Sequence, residues 1–196
     1  MKLLIASNNQ GKIAEIKEIL GDLFDAVHSL KEMGIHHDVQ EDGATFLENA
    51  VKKAEAFVQY GDMYVLADDS GLCVDALKGA PGVFSARFSG PNATDAQNNV
   101  LLLERMKGIP DGMRGAAFKC CVALAGRNTP TITAQGVCRG HILHEGRGES
   151  GFGYDPLFYV EAYNATFAEL GTQEKNAISH RKRALEALKE KLKGCV

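Results

Sequence analysis

No stretch of this chain is long and apolar enough to span a bilayer, and the N-terminal MKLLIASNNQGK turns polar too soon for the hydrophobic core of a secretory signal. Positive charge is not in excess either. The formal net charge is −3, which argues against a surface built as a whole for nucleic acid or an acidic membrane. An anionic ligand would have to be met by a local cluster of Lys and Arg. The five cysteines (Cys73, Cys120, Cys121, Cys138 and Cys195) are odd in number and contain no C-x-x-C pair, so neither a disulfide framework nor a zinc site is indicated. They read as buried reduced thiols in a cytoplasmic protein, with the adjacent Cys120 and Cys121 on opposite faces of a strand. His28, His36, His37, His141 and His144 fall into no metal-ligand arrangement and read as structural or surface residues. Tryptophan is absent, and there is no internal repeat, linker or low-complexity tract.

What remains is an ordinary globular composition: 196 residues, 45% hydrophobic and 24% charged, enough for one domain with a sizeable core or two lobes sharing a cleft. Lys2–Ala6 reads as a short buried strand. A helix is expected from near Lys12, with Ile13, Ile16, Ile19 and Leu20 on one face and Gly21 stopping it. Another strand is plausible near Ala26–Ser29. Thr45 and Glu48 form a capping box ahead of the stripe Phe46, Ala50, Ala54, Phe57 and Val58, and Thr94 with Gln97 repeats the box before NVLLLERM. Tyr64–Ala67 reads as a strand that enters an ADDSG turn, with LCVDAL (72–77) as its return. Ala116–Ala125 and Thr131–Arg139 flank GRNTP, a hairpin signal. Ser179 should open a last helix carrying Leu185, Leu188 and Leu192. Interleaved strands and helices argue for one α/β unit.

Five stretches could carry chemistry. ADDSG (67–71) sets two carboxylates beside a buried strand, a costly placement unless a cation meets them. SNNQGK (7–12) is a polar strand-to-helix turn whose backbone N–H groups, Ser7 hydroxyl and Lys12 suit a phosphate. It is not a P-loop, which needs Gly where Ala6 stands and Ser or Thr where Ile13 stands. GESGFGYDPLF (148–158) is a glycine-rich loop carrying rings that could stack on a planar ligand. In EKNAISHR (174–181), basic side chains sit at a helix start, the wrong end for a bare cation, and Arg is a natural fork for phosphate or a base carbonyl. Glu41, in QEDG (40–43), and Asp69 could together offer hard oxygens to Mg2+. Taken alone, each stretch reads first as a turn, a core anchor or a solvated face.

Assembled in order, SNNQGK (7–12), EDGATFLENAVKKA (41–54), ADDSGLCVDALKGAPGVFSARFSG (67–90), GFGYDPLF (151–158) and EKNAISHR (174–181) resemble the inosine triphosphate pyrophosphatase, or Ham1, family over nearly the full chain. Ser7 is a mild departure, since many relatives carry Thr there. The resemblance implies an α/β fold: an elongated, strongly twisted mixed β-sheet with flanking helices, in two lobes around a central cleft, and a homodimer. It implies Mg2+-dependent hydrolysis of inosine, deoxyinosine and xanthosine triphosphates to monophosphate and pyrophosphate, water attacking the α-phosphorus. By motif it assigns Asp69 and Lys53 to catalysis and Glu41 with Asp69 to the metal. Ser7, Asn8, Asn9, Gln10, Gly11 and Lys12 fall to substrate, as do Ser70, Phe152, Gly153, Tyr154, Asp155, Lys175, His180 and Arg181. Donors from His180 or Arg181 would favour a 6-oxo purine over adenine. The competing expectations are a Maf-like pyrophosphatase acting on other nucleotides, against which GFGYDP and SHR argue, and a nucleotide-binding sensor without turnover.

Overall fold

A computed structural model of the protein describes residues 1–193, so Cys195 lies outside the described residues. Strands β1 (Lys2–Ile5), β2 (Ala26–Ser29), β3 (Tyr64–Val74), β4 (Gly115–Gly126), β5 (Thr129–Ile142), β6 (Phe158–Val160) and β7 (Ala165–Thr166) form a seven-stranded sheet in the order β2-β1-β3-β4-β5-β6-β7. β1 pairs in parallel with β2 and β3, whereas β6 pairs antiparallel with β5 and β7, so the sheet is mixed, as expected. The helices are α1 (Gln10–Leu20), α2 (Phe46–Phe57), α3 (Asp95–Arg105), α4 (Thr172–Ile178) and α5 (His180–Lys193).

The chain divides into two compact units. The first takes Met1–Asp69, Cys120–Gly136 and the segment from His180 onward, and the second takes Ser70–Lys119 and Val137–Ser179. Each has its own apolar core. In the first, the α1 stripe Ile13, Ile16 and Leu20 meets Leu3, Ile5 and Leu66 of the sheet and Leu185 and Leu188 of α5. In the second, Leu102 and Met106 at the end of α3 pack with Phe118, Phe158 and Phe167, and the rings of Phe118 and Phe167 stack with centroids 5.6 Å apart. Cys120, Cys121 and Cys138 are buried free thiols, and Cys73 is a half-buried one.

Both capping boxes form: Thr45 Oγ1 accepts from Glu48 N and Thr94 Oγ1 from Gln97 N. The hairpin closes with only Arg127 and Asn128 between β4 and β5. Three expectations are corrected. ADDSG is no turn: β3 continues through it to Val74, and 75–77 is a 3-10 turn rather than a returning strand. Gly71 is there for close approach, because a Cβ on it would fall 2.6 Å from Gly82 O. α1 does end at Gly21, its C-cap, although the glycine keeps right-handed helical geometry (φ −54°, ψ −39°) and the chain runs on as a 3-10 turn to Leu23. The last helix starts at His180; Ser179 is extended and separates it from α4, a seven-residue helix too short to leave a periodic signal. None of the helices among the described residues is long and apolar enough to cross a membrane.

Candidate active site

The site residues expected from the sequence fall into two groups, one in each unit. In the first unit the turn after β1 is built by its own polar side chains. Ser7 Oγ accepts from Asn9 N at 3.2 Å, and Asn9, the N-cap of α1, accepts from Lys12 N at 3.1 Å. Asn8, Asn9, Gln10 and Gly11 are exposed and Ser7 and Lys12 half-buried, an accessible helix start with a cation one turn in. α2 supplies two further groups. Its Lys53 donates to Asp68 O at 3.1 Å and pairs with Glu41, and its Asn49 donates to Asp69 Oδ2 at 2.9 Å. The Asn49 carbonyl takes Gly43 N at 2.8 Å, so one buried amide joins the turn that follows Glu41 to Asp69. A Cβ on Gly43 would lie 2.7 Å from that carbonyl oxygen, which explains the glycine.

Adjacent residues on a strand point to opposite faces, and the two β3 acids accordingly meet different partners. Asp68, 1% exposed, receives Lys12 Nζ at 2.9 Å and Arg181 Nε at 3.2 Å on the same oxygen. Arg181, at the first turn of α5, is 2% exposed and places Nη1 2.8 Å from Glu15 Oε2 of α1. The basic helix start therefore finds its anions within the protein. Burial alone would push Asp68 up, but Lys12, Arg181 and Lys53 override it and hold the carboxyl well below its ordinary value. Arg181 shows the mirror image: burial lowers it, Asp68 and Glu15 outweigh that, and it stays firmly charged. Asp69 goes the other way. Burial raises its pKa, the Asn49 hydrogen bond opposes this, and repulsion from Glu41 adds to it. Lys53 is lowered by burial and raised past its ordinary value by Glu41 above all.

In the second unit Ser70 is half-buried on β3, and the loop 151–155 presents a ring. Phe152 is 47% exposed, and its N–H donates to Asp155 Oδ2 at 2.9 Å. Lys175 Nζ reaches the same carboxylate oxygen at 2.6 Å and lies 4.5 Å from the centre of the Phe152 ring. Tyr154 is buried, with its hydroxyl on Ser85 O at 2.8 Å, and burial raises its pKa. Its role in this loop is an anchor, and the exposed ring is Phe152. His180 belongs to the first unit with Arg181 and is buried.

Three residues of the first unit's cluster were not assigned from the sequence: Asp68, which gathers Lys12 and Arg181; Asn49, which fixes Asp69; and Glu15, which shares Arg181. Asp68 stood in the quoted motif, and strand alternation through it is the signal that would have separated the two acids. Asn49 is a buried polar residue on the otherwise apolar face of α2, which is a readable anomaly. Glu15 left no signal because it is one of four charged residues on α1, with Lys12, Lys17 and Glu18.

Two carboxylates with electrostatic repulsion between them and polar surroundings are a donor set for a cation. Among the described residues no group of three or more His, Cys, Asp and Glu could hold a metal ion. Glu41 and Asp69 alone suit a hard ion that completes its shell with water and ligand phosphates, as Mg2+ does, rather than one needing a full protein cage. The residues present fit that ion.

A family model described as the Ham1 family matches residues 3–191. A protein from Desulforamulus reducens named dITP/XTP pyrophosphatase is 51% identical over 190 residues, covering 97% of this chain and 94% of its own. One of the same name from Clostridium perfringens is 50% identical over 199 residues, covering 98% of both. Among solved structures, the Ham1 protein of Staphylococcus aureus superposes with a TM-score of 0.90 at 41% identity, covering 100% of each chain.

Proposed function

This chain belongs to the Ham1 family, and on that footing we propose that it hydrolyses non-standard purine nucleoside triphosphates, ITP, dITP and XTP, to the monophosphate and pyrophosphate, clearing them from the nucleotide pool. The observation that carries the proposal is the convergence of Lys12, Lys53 and Arg181 on the Asp68–Asp69 segment, with Glu41 paired to Lys53. The three cations come from distant parts of the chain and are balanced there by Asp68, Glu15 and Glu41, and the half-buried Lys12 beside the exposed turn 8–11 is the one set at an accessible helix start for a phosphate.

Lys12, with the Ser7–Gly11 turn, takes phosphate oxygens, and Lys53 meets the negative charge that builds as pyrophosphate departs. Asp69, oriented by Asn49, accepts a proton from the attacking water; a buried carboxylate beside another acid is a stronger base than one in solvent. Mg2+ held by Glu41 and Asp69 would supply charge neutralisation at the phosphates and acidify water. Phe152, with Gly153, Tyr154, Asp155 and Lys175, serves the nucleoside. With Arg181 engaged by Asp68 and Glu15, a donor from its neighbour His180 favours a purine with an acceptor at position 6, because a donor left unpaired against adenine costs on the order of 1–3 kcal/mol.

A panel of nucleoside triphosphates incubated with the protein and Mg2+ tests this. Inosine monophosphate and pyrophosphate as the products, with ATP spared, is the expected result. Orthophosphate release would refute the bond assignment, and binding without turnover would favour a sensor.

A further inference from the structure

α3 lies outside every stretch to which chemistry was assigned, yet it holds the centre of the ring-bearing loop. Asp95 and Asn99, one helical turn apart, engage Gly153 from both sides. Asp95 Oδ2 accepts from Gly153 N at 2.7 Å, and Asn99 Nδ2 donates to Gly153 O at 3.0 Å. Gly153 stands at φ +62°, so neither group can be served by regular secondary structure. α3 is itself anchored. Its buried Asn98 accepts from Ser89 N at 2.9 Å and donates to Ala86 O at 3.2 Å, and the same segment's Ser85 O receives the Tyr154 hydroxyl. The result is a closed circuit: hydrogen bonds tie α3 to 85–89, 85–89 to Tyr154 and Gly153 to α3, and the chain itself joins Tyr154 to Gly153. Phe152 is the loop ring it leaves standing in solvent, with Lys175 against one face.

We propose that Asp95 and Asn99 are positioning residues that fix Gly153 and thereby present the Phe152 ring for stacking on the purine base of the substrate. This rests on the reading that the 151–155 loop serves the nucleoside. Neither side chain needs to touch substrate. Preorganisation of the ring lowers the ordering cost of binding, so their loss should appear in KM and leave the chemical step alone.

The absence of tryptophan makes the test direct, because Phe152→Trp introduces a single indole. In that background and without nucleotide, Asn99→Ala or Asp95→Ala should lower the indole anisotropy and increase its quenching by acrylamide, while Asp95→Asn, which keeps an acceptor, should restore both. In the protein with Phe152 in place, Asn99→Ala should raise KM for ITP roughly fivefold with kcat little changed. In a Phe152→Ala background the same substitution should have no further effect on KM. An indole equally rigid in all variants, or a KM rise that persists without the Phe152 ring, overturns the proposal. A wild-type protein that turns over no nucleotide would instead remove the substrate reading, and the indole measurement would still decide whether α3 holds the loop.

Discussion

Asp68 and Asp69 are chain neighbours in environments of opposite sign. Asp68 is held charged by Lys12, Arg181 and Lys53, so it stabilises the fold at any pH above the ordinary carboxylate range. That contribution is lost only as pH falls through its depressed value, in strong acid. Truncating it strands two cations, one almost fully buried, so Asp68→Ala should lose about 3–5 kcal/mol in denaturant unfolding. A loss below about 0.5 kcal/mol, ordinary for a surface change, would contradict the pairing. Asp69 has its pKa raised by burial, so the fold favours its protonated form, and its contribution declines as pH rises through the folded value. Asp69→Asn should therefore abolish turnover nearly completely while the melting temperature at neutral pH rises. Near-normal turnover, or a lower melting temperature, would remove Asp69 from its role as base. The sequence made the acid pair visible as an oddity. It did not show which acid meets which partner, because Lys12 and Arg181 are far from β3 along the chain.

Among the elements, whatever is written in consecutive side chains was legible: two capping boxes, the hairpin turn and the amphipathic stripes of α1 and α2. The structure departs from that reading where a glycine answers to a distant neighbour. Gly71 follows two acids and a serine and has the composition of a turn, but it lies in mid-strand because Gly82 O and Ser85 pack against it. Gly71→Ala should cost roughly 1–3 kcal/mol by overpacking, measured as a lower denaturant midpoint at unchanged slope. A midpoint equal to wild type would restore the turn interpretation. β6, β7 and α4 have three, two and seven residues, too few for a periodic pattern, and their positions follow from pairing and packing with the rest of the chain.

For the whole molecule, composition excluded more than it revealed. A net charge of −3 says nothing of where single charges sit, and only folding brings Lys12, Lys53 and Arg181, with the acids they pair with, to one cluster beside β3. The α/β class followed from the interleaving of elements and the mixed sheet from the family resemblance, while the sheet order and the two separate cores depend on pairings that no local pattern encodes. The cluster's proposed purpose is to direct water to the α-phosphorus of a purine triphosphate. Hydrolysis of ITP in oxygen-18 water, with the products separated by mass, tests that most directly. Attack at the α-phosphorus predicts one labelled oxygen in inosine monophosphate and none in pyrophosphate. Label in the pyrophosphate, or in released orthophosphate, would contradict it.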